Sequence, residues 1–100
     1  MTLWKCRLVV VDSKGTVARF AASSGWKKSL GVCHIDWLEL SPGRHVCQFE
    51  TDKPPVTQSQ KISRRWARLT LLLDYEDERN RIKGLAKARA GEVEHCEIFY

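Results

Sequence analysis

The sequence predicts an α+β fold, a small and mostly antiparallel sheet of four to five strands packed against one or two helices. Three observations predict it. Short apolar stretches separated by turn residues fill the first half of the chain. A polar segment with paired prolines follows, and the remainder carries a helical-period apolar stripe with charges ordered as in a helix.

Residues 3–11 mix apolar and polar side chains before running apolar from Leu8 to Val11, as a strand does on passing from an edge into a core. Asp12-Ser13-Lys14-Gly15 reads as a turn. Thr16–Ala22 then alternates, with Thr16, Ala18, Phe20 and Ala22 on one face, so the two segments are expected to form an antiparallel hairpin. Ser23-Ser24-Gly25 breaks the pattern, and the segment from Trp26 to Gly31 reads as a surface loop that exposes Trp26.

Residues 32–40 and 44–50 flank Ser41-Pro42-Gly43-Arg44, the clearest hairpin turn in the chain. If Leu40 pairs with His45, then Leu38 faces Cys47 and Asp36 faces Phe49; a slip of one residue would exchange the faces of one strand. Thr51–Gln60 reads as a crossing loop, because Pro54 and Pro55 disfavour both helix and ladder.

Ile62, Trp66, Leu69 and Leu73 lie at i, i+4, i+7 and i+11, the stripe of an amphipathic helix over 62–73, although Leu69–Leu73 also fits a buried strand. Over 75–90, Glu76, Asp77 and Glu78 precede Lys83, Lys87 and Arg89, the order that complements a helix dipole, with Gly91 as its stop. A final strand is expected over 93–99.

The chain's 100 residues fit one domain over 1–100, and a hydrophobic share of 43% is enough for a packed core. No apolar run approaches the roughly 18 residues a membrane-spanning helix needs. No secretory pattern opens the chain, so its four cysteines read as reduced, buried side chains of a cytoplasmic protein.

Seventeen Lys and Arg against twelve Asp and Glu leave a net charge of +5, which favours phosphate backbones or an acidic protein surface as partners. Three basic groups stand out: Lys27 and Lys28 beside Trp26; Arg64, Arg65 and Arg68; and Arg79, Arg81 and Lys83, extending to Lys87 and Arg89. The expectation is a non-enzymatic binding module in which Trp26 and these cations contact a nucleic-acid backbone. The alternative is a protein-interaction or inhibitor module, with self-association as a further option.

Motifs for chemistry are weaker. Cys33-His34, His45-x-Cys47 and His95-Cys96 repeat the zinc-ligand types, but adjacent residues on a strand point to opposite faces, so no metal or other cofactor is expected. Cys47 and His45 share a strand face without a visible orienting group. Asp36 and Glu50 resemble half of a metal-dependent nuclease site, but Lys53 stands one position too far from Glu50. That enzyme is the second alternative.

Overall fold

A computed structural model describes residues 4–23, 25–30 and 36–100, excluding the side chains of Lys14, Ser29, Trp37 and Glu39. The chain runs β1 (Trp4–Val11), α1 (Lys14–Ala22), α2 (Gly25–Leu30), β2 (Asp36–Ser41), β3 (Arg44–Thr51), α3 (Val56–Arg65), β4 (Thr70–Asp77), β5 (Ile82–Arg89) and β6 (Glu92–Phe99). The six strands form one antiparallel sheet in the order β2-β3-β1-β4-β5-β6. Its first four strands, with helices joining β1 to β2 and β3 to β4, have the connectivity of the ferredoxin-like split βαβ motif, and β5 and β6 extend the sheet past β4.

The α+β class and the antiparallel sheet agree with expectation, whereas the sheet has six strands instead of four to five. Thr16–Ala22 is helical, which corrects the predicted hairpin. Ser13 Oγ accepts the Thr16 backbone N–H and so caps α1, and Thr16 and Val17 each lie about one helical turn before Phe20 on its buried side. In place of a loop over Thr51–Gln60, α3 starts immediately after Pro55; its buried Ser59 and Ser63 are small enough for close approach to the sheet. Ser63 Oγ accepts the Gly91 N–H and Gln60 Nε2 donates to the Gly91 carbonyl, which pins the β5–β6 turn beneath the helix.

The helices expected over 62–73 and 75–90 are replaced by the end of α3 and by the strands β4 and β5. Leu71, Leu73 and Tyr75 are buried while Leu72 is exposed, and Gly84, Ala86 and Ala88 alternate with Lys83, Leu85, Lys87 and Arg89, the period of two that defines strands. Acid-before-base charge order suits a helix dipole, but it equally suits a hairpin, because folding back sets Glu76 opposite Lys83. Asp77 turns the corner by accepting from the Asn80 backbone and side chain, at 3.2 and 2.6 Å.

The Pro42-Gly43 turn is formed as predicted, with Gly43 at φ 80°. A register shift between Glu39 and Ser41 then moves the ladder by one residue, so Leu38 pairs with Val46 and Asp36 with Gln48 in place of Cys47 and Phe49. Ala90 and Gly91, at φ 51° and 85°, make a two-residue hairpin of the primed type between β5 and β6.

All the helices cover one face of the sheet. The core lies between, where Leu8, Val10, Cys47, Leu71 and Leu73 of the sheet meet Val17 and Phe20 of α1, Trp26 and Leu30 of α2 and Ile62 of α3. The opposite face has no covering element among the described residues.

Candidate nucleic-acid interface

The predicted contact residues divide between the two sides of the molecule. Trp26 is 3% exposed and stacks on Phe20 at 4.8 Å between ring centroids, and Phe20 meets Trp66 edge-on at 5.4 Å. These rings cement α1 and α2 to the end of α3, so Trp26 is a core residue and cannot be the exposed stacking platform expected of it. Burying a large aromatic gains more than exposing it, and a polar sequence neighbourhood does not report that gain.

Around this aromatic trio the helices present cations only. The spans of α1, α2 and α3 contain Lys14, Arg19, Lys27, Lys28, Lys61, Arg64 and Arg65 and no Asp or Glu; all twelve acidic residues of the chain lie in strands and connections. Arg19, Lys27, Lys28, Lys61, Arg64 and Arg65 are exposed, and none of them forms an ion pair with a described residue. Lys27 Nζ stands 5.6 Å from the Trp26 ring centroid. Lys61 and Arg65 border a cleft of about 260 Å³ between α2 and α3, whose walls include Gly25, Ile62 and Trp66. Arg68, just past α3, is exposed and only 3.9 Å from Asp12. Arg19 and Lys61 were not among the predicted residues; the signal for them was the absence of acids from three separate segments, which shows once those segments are known to be helices.

Arg79, Arg81 and Lys83 sit elsewhere, on the β4–β5 turn and the uncovered face. Lys83 is 3.7 Å from Glu76 and 4.9 Å from the Tyr100 ring centroid, and Arg81 lies 5.5 Å from the same ring. Tyr100 also donates a hydrogen bond to Glu76, which with partial burial pushes its hydroxyl up to about 12. Nearby, Arg7 pairs with Asp74 at 2.9 Å and Lys5 with Glu78 at 3.1 Å. This face therefore mixes neutralised charges with the exposed apolar residues Leu38, Leu40, Leu85 and Ile98, the last two of which line an open trough of about 1160 Å³.

Sheets of this connectivity that bind RNA stack bases on aromatics of their two central strands. Here the corresponding residues of β1 and β3 are Lys5, Arg7, Val9 and Val11, and Arg44, Val46, Gln48 and Glu50, with no aromatic among them. The uncovered face lacks that platform.

The residues suited to catalysis are dispersed. Cys47 and His45 share one strand face as expected, and that face is buried; burial pushes the Cys47 thiol up to about 12, so no thiolate is available near neutral pH. Asp36 and Glu50 both border the open trough, and no cluster of three metal-ligand side chains forms among the described residues. Cys33 and His34 lie outside the described residues.

One polar cluster leaves no signal in residue type or spacing. Tyr75 reaches from β4 over Gly84 of β5 to β6, where its hydroxyl lies 2.5 Å from His95 Nε2 and donates to Glu97 at 2.6 Å. A Cβ on residue 84 would fall 1.9 Å from the Tyr75 ring, so only glycine leaves the path open. Burial, followed by the Glu97 carboxylate, pushes the Tyr75 hydroxyl well above its ordinary value. Comparison with protein-family models, curated proteins and solved structures finds no match to this chain.

Proposed function

We propose that this chain is a non-enzymatic binding module whose helix layer lies against the phosphate backbone of a nucleic acid. The observation that carries the reading is the segregation of charge: three neighbouring helices bearing seven Lys and Arg and no carboxylate. Exposed cations that form no ion pair among the described residues release counterions when they meet closely spaced phosphates, a gain that neutralised cations cannot supply. The contact set is Arg19, Lys27, Lys28, Lys61, Arg64 and Arg65; Arg68, paired with Asp12, lies at its margin. The pairing of Lys83 with Glu76, and its position with Arg81 beside Tyr100, argue against the β4–β5 turn as part of this set. Backbone contacts of this type fix affinity without reading sequence, so little preference among base sequences is expected. Free thiols at Cys6, Cys47 and Cys96 favour a reducing compartment such as the cytoplasm.

A second reading, docking of a protein on the uncovered sheet face, is favoured by the exposure of Leu38, Leu40, Leu85 and Ile98 there. Fluorescence anisotropy with labelled single-stranded and duplex oligonucleotides separates the two readings. Reversing Lys27, Lys28, Arg64 and Arg65 together to Glu should weaken binding at least about tenfold. Arg79→Glu with Lys83→Glu should leave it close to wild type. Wild-type failure to bind either oligonucleotide, or equal binding by the helix-reversed variant, would refute the proposal.

A further inference from the structure

Among the described residues, β6 forms one edge of the sheet along its whole length. Edge strands are usually guarded by Pro, by charged side chains, Lys above all, or by a bulge, because their free N–H and C=O groups invite another strand. Residues 92–99 contain neither Pro nor Lys, and their pairing with β5 is regular from Glu92 to Phe99. Phe99, at the far end, is 76% exposed.

The hydrogen-bonding phase of this edge can be fixed. Arg89 and Glu92 close the two-residue turn, and the Tyr100 backbone N–H donates to the Arg81 carbonyl at 2.9 Å. The even-numbered residues of β6 therefore direct their backbone groups inward to β5, and Val93, His95, Glu97 and Phe99 direct theirs outward. An antiparallel partner strand of the same sequence must match outward residues with outward residues. A two-fold arrangement is then confined to registers centred on a residue and not between two residues.

Centring on Glu97 sets two carboxylates face to face, and centring on His95 sets two imidazoles face to face and Val93 against Glu97. Centring on Cys96 does neither. It places His95 opposite Glu97 of the second copy twice over, Val93 opposite Phe99 twice over, and the two Cys96 residues opposite each other. On this basis we propose that the chain self-associates by antiparallel β6–β6 pairing about Cys96, making one continuous sheet of twelve strands.

The pairing covers Phe99 with Val93 and gives each His95, already beside the Tyr75 hydroxyl, a carboxylate across the new ladder. The acids on the other face of β6, Glu92 and Glu94, already stand opposite Arg89 and Lys87 of β5 and so do not oppose association. The two-fold axis runs perpendicular to the sheet, so the helix layers of both copies fall on the same side. The inference does not rest on the nucleic-acid reading, which concerns the helix layer alone.

Sedimentation equilibrium under reducing conditions should show a mass rising from one copy to two with protein concentration. Phe99→Lys should abolish the rise, and so should Glu97→Lys, which sets Lys against His95. Adding His95→Glu to Glu97→Lys restores an opposite-charge pair across the ladder and should restore the dimer. Because Cys96 faces itself in a non-hydrogen-bonded pair, where Cα atoms stand about 4.5 Å apart, the geometry allows a disulfide. In a Cys33→Ser background, diamide should take one proton and one electron from each Cys96 thiol, be reduced to its hydrazine, and leave a covalent dimer that Cys96→Ser lacks. A mass of one copy at every concentration would overturn the proposal. So would a dimer that forms no Cys96 bridge or that is indifferent to Phe99→Lys and to the charge exchange.

Discussion

Gly84 and Tyr75 show how one small residue positions a distant group. The phenol crosses β5 only where the strand lacks a Cβ, and so links β4 to His95 and Glu97 on β6. Nothing in the sequence announces this, because Gly84 in an alternating Lys-Gly-Leu-Ala-Lys-Ala-Arg run reads equally as a weak helix residue. The same blindness applied to Trp26, whose loop-like neighbours concealed a ring packed on Phe20. A pH consequence follows from the two tyrosines, both raised above the ordinary value: Tyr75 by burial and Glu97, and Tyr100, to about 12, by its hydrogen bond to Glu76. A group whose proton is held more tightly in the folded state stabilises fully below its unfolded value, about 10, and loses that contribution as pH climbs toward the folded value. The tyrosinate absorbance of the native protein should therefore stay low at about pH 10.5, where the unfolded chain is mostly ionised. Stability measured by urea should decline as pH rises past about 10. Full native ionisation near pH 10 would show that neither hydroxyl is held as described.

Among the elements, those with one dominant signal were legible. The strand ending in Leu8–Val11, the Pro42-Gly43 hairpin and the terminal strand formed where expected, because an apolar run or a turn dipeptide leaves few alternatives. Elements whose signals fit two periods were not. Thr16–Ala22 alternates like a strand and also spaces Thr16, Val17 and Phe20 like a helix; the cap at Ser13 and packing against α2 decide for the helix. Similarly, Leu69–Leu73 supplied both a helical stripe and an apolar strand run, and pairing to β1 on one side and β5 on the other selects the strand. The cap on α1 can be tested by itself. Ser13→Ala leaves the Thr16 N–H without its side-chain acceptor and should cost about 1 kcal/mol in urea unfolding. A change near zero would show that α1 is held by burial of Val17 and Phe20 alone.

For the molecule as a whole, net charge was legible and its distribution was not. A value of +5 describes seven cations on the helices together with strands and connections in which acids slightly outnumber bases. That separation emerged only once the helix boundaries placed Arg19 and Lys61 beside Lys27, Lys28, Arg64 and Arg65, and moved Arg79, Arg81 and Lys83 away from them. The same view locates the remaining exposed apolar surface on the uncovered sheet face and at Phe99 on the β6 edge. The central claim is that the helix layer meets phosphates, and the salt dependence of binding tests it most directly. Between about 50 mM and about 200 mM salt, the logarithm of the wild-type association constant for duplex DNA should fall linearly with the logarithm of salt concentration. Its slope should exceed about 3 in magnitude, as four or more phosphate contacts require. Reversal of Lys27, Lys28, Arg64 and Arg65 should flatten that slope; a wild-type affinity indifferent to salt would contradict the account.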